Sequence, residues 1–189
     1  EPQYEHAYKF DVNGFAEVES NGKLGVINED GEWVISPKYE SINYDEMFSG
    51  CWTAYDEDYI CTVVNKKGEE IAEFDYINRY INGYDVGYFA VSVDGKFGLV
   101  NKSAEWVIEP KYDKIHKDYD YNGCFHVEID GKKGIINDKA ELIIEPKYDH
   151  INYCGFSVGE SKYEGYFTVV LNEKYGLFNI NGEQILEPI

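Results

Sequence analysis

The sequence has little that would support a helical or membrane-spanning protein. We find no helical periodicity of useful length, no apolar run near the roughly 20 residues of a transmembrane helix, and no recognisable signal peptide. The only methionine is Met47. We therefore expect a trimmed or mature fragment with no membrane insertion, and we favour an extracellular or cell-surface location.

Basic residues are also scarce. Lysine and arginine number 17 against 36 acidic residues, which gives a formal net charge of −19. Such a surface repels the phosphates of nucleic acids and of anionic membranes, whereas it tolerates a partner protein with a basic surface. The acidic turn Asp56-Glu57-Asp58 does not have the ligand spacing of a calcium loop, so we predict no metal and no cofactor.

Cysteine is rare and shows no metal-site spacing. The four residues Cys51, Cys61, Cys124 and Cys154 form no Cys-x-x-Cys pair. An even number leaves three disulfide pairings open. We expect reduced and buried thiols, because free cysteine often packs as a small apolar residue.

Signals of catalysis are missing as well. The sequence has no Gly-x-Ser-x-Gly elbow and no glycine loop of the kind that binds phosphate. Its four histidines are spread over different phases of the repeat described below: His6, His116, His126 and His150. We predict no catalytic residue and interpret the protein as not an enzyme.

The sequence does contain an internal repeat. Two apolar residues followed by asparagine recur five times, with spacings of 37, 36, 36 and 42 residues, at Asn28, Asn65, Asn101, Asn137 and Asn179. A fixed period in this range is typical of repeat architectures. We assign each asparagine to the end of a strand, where a turn begins.

Other positions recur in register with the asparagines. A glycine lies three residues before four of them, and Thr62 replaces it in the second unit. A proline lies nine residues after four of them, and the second unit, which is two residues shorter, has none there. The units open with aromatic residues that we align as Phe15, Trp52, Phe89, Phe125 and Phe167.

Three units have a strong β-hairpin signal. Asn-Gly or Asp-Gly lies between their alternating apolar runs, with Gly22, Gly95 and Gly131 as the turn glycines, and Asn172-Glu173 takes this place in the fifth unit. Both residues of Asn-Gly and Asp-Gly tolerate positive φ, as a two-residue hairpin turn requires. A third strand is ended by proline, which cannot donate to a ladder, and a Tyr-x-x-Ile segment adds a short fourth.

These patterns predict a single all-β repeat domain over residues 1–189. Five tandem β-hairpin or meander repeats of about 36 residues would form an open twisted stack, with a closed five-bladed β-propeller as the alternative. The predicted units span 14–42, 50–77, 87–115, 123–151 and 165–189, and 1–7 is the tail of a preceding unit.

The repeated motifs resemble those of the WG-repeat family of bacterial proteins. Its units contain an aromatic-Gly pair, an apolar pair, Asp or Asn, a glycine turn, Pro-x-Tyr and a closing Asp-x-Ile. The tryptophan before the glycine is replaced by Leu24, Phe97, Lys133 or Tyr175, so these are divergent copies. The resemblance implies a noncatalytic repeat module.

Function is therefore sought where the copies differ. The junction before the fifth unit is the longest, and it contains Tyr153, Phe156 and Tyr163. Exposed aromatic side chains there would pack into a partner protein or stack on a sugar. We expect a structural or protein–protein interaction scaffold, with carbohydrate or cell-wall binding as the alternative.

Overall fold

The computed structural model describes residues 4–78, 87–117, 124–137, 139–154, 157–158, 161–162 and 165–189. They form five four-stranded antiparallel sheets and one two-stranded hairpin. A single turn of 3-10 helix covers Glu46–Phe48. Within the described ranges, no helix is long and apolar enough to cross a membrane.

The strands of each sheet follow one another along the chain. The first sheet contains β1 (His6–Ala7), β2 (Phe15–Ser20), β3 (Lys23–Asn28) and β4 (Trp33–Tyr39). The second contains β5 (Ser41–Asp45), β6 (Cys51–Tyr55), β7 (Cys61–Val64) and β8 (Glu70–Phe74). The third contains β9 (Tyr76–Asn78), β10 (Tyr88–Val93), β11 (Lys96–Asn101) and β12 (Trp106–Tyr112). The fourth contains β13 (Lys114–Lys117), β14 (Cys124–Ile129), β15 (Lys132–Asn137) and β16 (Leu142–Tyr148). The fifth contains β17 (His150–Cys154), β20 (Tyr166–Leu171), β21 (Lys174–Asn179) and β22 (Gln184–Leu186), and the small hairpin pairs β18 (Ser157–Val158) with β19 (Ser161–Lys162).

The sheets are out of phase with the units of the sequence. Strand β4 is followed by β5 after the single residue Glu40, yet β5 pairs with β6 of the next sheet. The Tyr-x-x-Ile segment of one unit therefore supplies the first strand of the following sheet. Strand β1 does the same for the first sheet by pairing with β2. Each step of the repeat thus links two sheets by continuous chain.

Buried side chains hold consecutive sheets face to face. Four of the hydrophobic clusters each combine residues of two neighbouring sheets. A fifth cluster, Ala16, Val18 and Ile27, stays within the first sheet under Tyr4. None of these clusters of described residues joins the first sheet to the fifth, as a ring would require. The predicted all-β fold of open tandem repeats is confirmed, and the propeller alternative is not.

The recurring glycine and proline belong to one structural feature. The third strand does not end at the proline as predicted, because a bulge lets β4 continue past Pro37 to Tyr39. In the first sheet, Val26 pairs with Ile35 but Leu24 pairs with Tyr39, so β4 carries two extra residues in a bulge around Pro37. The bulge lies over Gly25, where a Cβ atom would come within 2.6 Å of the Ile35 carbonyl oxygen. A side chain is therefore excluded there.

The second sheet supports this explanation because it has neither residue. Thr62 replaces the glycine and pairs regularly with Glu73. Its flanking pairs, Cys61 with Phe74 and Val63 with Ala72, are also in step, so this stretch has no extra residues. The missing proline, the missing glycine and the two-residue deletion are one change.

The asparagines build the turn that follows the second strand. The Asn28 side-chain oxygen accepts hydrogen bonds from the amides of Asp30 and Glu32, and its nitrogen donates to the Glu32 carboxylate. All five turns share this pattern, so a glutamate four residues on is part of the motif, at Glu32, Glu69, Glu105, Glu141 and Glu183. We did not single out this glutamate in the sequence, although its fixed spacing was visible.

Acidic side chains fasten the hairpin turns to the stack. Asn21-Gly22, Asp94-Gly95 and Asp130-Gly131 all have positive φ, as do Asn172 and Glu173. The carboxylate of Asp149 accepts a bond of 2.8 Å from the Asn172 amide in the fifth sheet. Its other oxygen lies 2.5 Å from Nζ of Lys132 in the fourth sheet. These two contacts lower the pKa of Asp149, and the contact with Lys132 has the larger effect.

Asp113 forms the same bridge one sheet earlier. It accepts a bond of 2.7 Å from the Asp130 amide and pairs with Lys96 of the third sheet.

The tyrosines of the Pro-Lys-Tyr segments each lie just before an acidic residue. Tyr39, Tyr112 and Tyr148 are buried. A lysine ammonium lies over each of their rings.

Two expectations need correction. Phe15 pairs with Asn28 whereas Tyr88 pairs with Asn101, so Phe15 aligns with Tyr88 and not with Phe89. This register turns the Phe15 side chain towards the second sheet, where its ring packs on Trp52 with centroids 4.9 Å apart.

The second correction concerns the cysteines. All four are free, and Cys51, Cys61 and Cys124 are buried as expected. Cys154 is exposed. Its cross-strand partner in the fifth sheet, Tyr166, is exposed as well.

Candidate functional site

The residues proposed from the long junction do not form a described site. Tyr153 lies on strand β17, half-buried, with its ring 5.6 Å from that of Phe167. A Cβ atom on Gly165 would come within 2.1 Å of the Tyr153 hydroxyl, so the tyrosine packs closely over that glycine. Phe156 and Tyr163 lie outside the described residues. Tyr153 has the surroundings of a packing residue.

The hairpins differ most at the second sheet. In the other four sheets a two-residue turn joins the two central strands. In the second sheet Tyr55 pairs with Cys61, which leaves the five residues 56–60 in the connection. We call this segment the Asp56 loop. It carries acidic residues at positions 56, 57 and 58 and a tyrosine at 59.

The loop adopts the fold of the asparagine turn, with aspartate in place of asparagine. Oδ1 of Asp56 accepts bonds from the amides of Asp58 at 3.0 Å and Ile60 at 2.9 Å. Tyr59 donates its amide to the Asp56 carbonyl, as Gly31 does to Asn28 in the first sheet. Tyr59 therefore occupies a glycine position.

Tyr59 is strained there and is not compensated by burial. Its φ is +63°, in the left-handed region that favours glycine, and 81% of its surface is exposed. A left-handed conformation costs an L residue about 1–2 kcal/mol. Strain of this kind is concentrated at functional sites. Tyr59 is thus the residue of the loop that local folding explains least.

The Asp56 loop borders a shallow acidic depression. Glu40, Ser41, Tyr55, Asp56, Glu57 and Tyr59 line a space of about 460 Å³. Lys23 lies nearby and pairs with Glu40 at 2.5 Å, which raises the pKa of the lysine. The remaining carboxylates of the lining, Asp56 and Glu57, leave the depression negative beside two tyrosine rings.

The sequence showed the acidic residues of this loop, which we tested and rejected as a calcium site. It did not show the importance of Tyr59, because that residue is unusual only if residues 56–59 form a further copy of the asparagine turn. The available signal was the spacing of the segment: Tyr59 lies three residues after Asp56, as the turn glycine of the repeat lies three residues after its asparagine. The structure supplies the backbone conformation that makes Tyr59 unusual.

The structure also brings together two histidines that the sequence separates. His116 and His126 are direct cross-strand partners, and their rings stack with centroids 5.1 Å apart. Among the described residues, no group of three or more histidine, cysteine, aspartate or glutamate side chains is arranged to hold a metal ion. The histidine pair stands apart from the acidic depression on a different sheet.

Comparison with solved structures finds matches of low similarity. A crystal structure of the eukaryotic initiation factor has a TM-score of 0.37 at 9% identity, covering 97% of this chain and 55% of its own. Kluyveromyces lactis Hsv2 has a TM-score of 0.33 at 9% identity, with coverages of 91% and 59%. A protein of unknown function from Bacteroides caccae has a TM-score of 0.27 at 9% identity, with coverages of 94% and 78%. The chain therefore spans little more than half the length of the first two.

Sequence comparison gives a more definite result. No curated protein sequence matches the chain significantly. The family model described as WG containing repeat matches residues 1–23, 25–49, 97–132 and 134–175, which together make up most of the sequence. An unmatched stretch, 50–96, contains strands β6, β7 and β8 of the second sheet, which lacks the repeat glycine and proline and has a longer hairpin connection. The chain belongs to the family of WG containing repeat proteins.

Proposed function

We propose that this repeat module is a noncatalytic scaffold that binds a basic segment of another protein at the Asp56 loop. The observation that carries the proposal is Tyr59, an exposed aromatic residue kept in a strained glycine position. Tyrosine is enriched in protein interfaces because it offers a large, rigid contact surface and one polar group.

The charge of the depression supports the choice of a basic partner. Asp56 and Glu57 lie beside Tyr55 and Tyr59 on a chain whose net charge is −19. A lysine or arginine side chain would pair with the carboxylates while its aliphatic part packs on the tyrosine rings. The stack of sheets would hold the loop in a fixed orientation, because its ends are the paired strands β6 and β7.

An oligolysine peptide tests this proposal by calorimetric titration. Two variants change the net charge equally, from −19 to −17: Glu57→Lys in the depression and Glu109→Lys on the exposed surface of the third sheet. We expect Glu57→Lys and Tyr59→Ala to weaken binding by roughly tenfold each, and Glu109→Lys to change it much less. Equal losses for the two lysine variants would show that only overall charge attracts the peptide.

Glycan binding is a second candidate, supported by the outer face of the fifth sheet. Tyr166 and Tyr175 lie on this face with 39% and 63% of their surfaces exposed, and Thr168 lies between them across the strands. Flat aromatic surfaces stack on sugar rings. A polysaccharide pull-down with Tyr175→Ala and Tyr153→Ala distinguishes this surface from the junction residues. Saturable binding that either variant abolishes would replace the protein-scaffold proposal.

A further inference from the structure

A second cavity lies between the first and second sheets and shares no residue with the acidic depression. Its volume is about 450 Å³, within the usual range for small-molecule sites. Four aromatic residues, Tyr8, Phe15, Tyr44 and Trp52, line it together with charged groups that include Lys9 and Glu17. We call it the aromatic groove.

The aromatic rings of the groove come from both sheets. Trp52 is the centre of the set, with the Phe15 ring edge-on at 4.9 Å and the Tyr44 ring edge-on at 5.9 Å. The Tyr44 ring also has the Lys66 ammonium 5.5 Å from its centre. Tyr8 is exposed at the rim, where its amide is bonded to the Glu17 carbonyl. A tyrosine of this groove thus already accepts a cation over its face.

Glu17 places a carboxylate at a strand position where the other sheets have uncharged or weakly basic side chains. It pairs with Val26, and the residues at the same register in the other sheets are Thr53, Ala90, His126 and Thr168. Thr53 and Ala90 are completely buried. Only the first sheet places a carboxylate there, against the hydrophobic cluster that includes Val26, Ile42 and Trp52.

Among the described residues the Glu17 carboxylate forms no ion pair, although Lys9 also lines the groove. It is half-buried, and no side chain or amide of the described residues donates a hydrogen bond to it. Partial burial raises its pKa. A half-buried carboxylate without a partner is costly, and the cost is removed when a cation binds beside it.

From this arrangement we infer that the aromatic groove binds a small alkylated ammonium compound, with Glu17 as the counter-ion and Tyr44, Trp52 and Phe15 as the aromatic wall. Quaternary ammonium groups are recognised by such aromatic surfaces through cation–π attraction. They need no hydrogen-bond acceptors, which the apolar part of the lining does not provide. This inference goes beyond the scaffold function and does not depend on the Asp56 loop.

Choline is the probe, and 3,3-dimethyl-1-butanol is its uncharged carbon analogue. Calorimetric titration of the full chain should show saturable choline binding that is at least about tenfold tighter than binding of the analogue. Glu17→Gln should weaken choline binding about tenfold, because it removes the charge and keeps the shape. Tyr44→Leu should also weaken it, because leucine fills space without an aromatic face.

Glu19→Gln is the matched control for Glu17. Glu19 lies two residues further along β2 on the same face, is also half-buried, and does not line the groove. Circular dichroism of each variant verifies that the fold is retained. The inference is overturned by undetectable choline binding, by equal affinity for the uncharged analogue, or by equal losses in Glu17→Gln and Glu19→Gln. Loss of oligolysine binding alone would leave it standing, because the two sites share no residue.

Discussion

Replacing Tyr59 by glycine should stabilise the protein while removing a side chain needed for binding. Its left-handed backbone, with φ of +63°, costs tyrosine about 1–2 kcal/mol, which glycine does not incur. Glycine in turn adds about 0.4–1 kcal/mol of conformational entropy to the unfolded chain. The difference between the midpoints of these ranges is a net stabilisation of about 0.8 kcal/mol.

The exposed position of Tyr59 makes this estimate a simple one. With 81% of its surface exposed, the side chain contributes little packing that its removal could lose. An entropy of unfolding of about 2.1 cal/mol/K per residue, summed over 189 residues, converts about 0.8 kcal/mol into a rise in Tm of about 2 °C. Thermal and urea unfolding followed by circular dichroism both measure the change.

Tyr59→Ala separates strain from the loss of the aromatic ring. Alanine keeps the left-handed penalty, so its stability should stay within about 0.5 kcal/mol of the original protein. Only the glycine variant should gain stability, whereas both variants should lose oligolysine binding. If glycine and alanine gave the same Tm, or if glycine lowered it, the strain attributed to Tyr59 would be refuted.

Two further predictions concern the framework of the repeat. Gly98→Ala should destabilise the protein by about 2 kcal/mol or more, because the added Cβ would lie 2.4 Å from the Ile108 carbonyl oxygen. Gly95→Ala places its Cβ in open space and should cost about 1 kcal/mol, because the position has a positive φ. Urea unfolding midpoints of the two variants test this order. The pKa values of Asp113 and Asp149 are lowered, chiefly by their lysine partners, so their contribution to stability is present above an unfolded pKa of about 3.9 and is lost as the pH falls through the folded value. Thermal melts below about pH 4 should therefore show a smaller further loss of Tm in an Asp113→Asn/Asp149→Asn variant than in the original protein, and equal losses would contradict this origin of acid sensitivity.

Much of the repeat was readable from the sequence because its turns are built from neighbouring residues. Asn-Gly and Asp-Gly tolerate positive φ in any context. The side-chain oxygen of an asparagine can accept hydrogen bonds from the amides two and four residues later without contacts from other parts of the chain. The glycine and proline were visible as recurring residues, but their relation was not. It became clear only when the bulge around Pro37 was seen to lie over Gly25.

The candidate sites were less predictable because they depend on contacts between sheets. Tyr153 and Tyr44 occupy corresponding positions, paired with Phe167 and Trp52, yet only Tyr44 lines a described groove. Sequence reasoning selected the longest junction as the place of function. The structure directs attention to the first two sheets. Glu17 places a carboxylate at a register where the other sheets have none, and Tyr59 occupies a turn position that is glycine or alanine in the five asparagine turns.

Local sequence patterns are enough to specify the all-β repeat, its period and its turns, since each depends on the chemistry of a few consecutive residues. The three-dimensional structure was needed to assign each strand to its sheet, because β5 follows β4 after Glu40 but pairs with β6 of the second sheet. It also decided the alignment of Phe15 and the half-burial of Glu17. The burial of Glu17 depends on the second sheet, whose Ile42 and Trp52 line the same groove, and a local sequence pattern does not contain contacts between sheets.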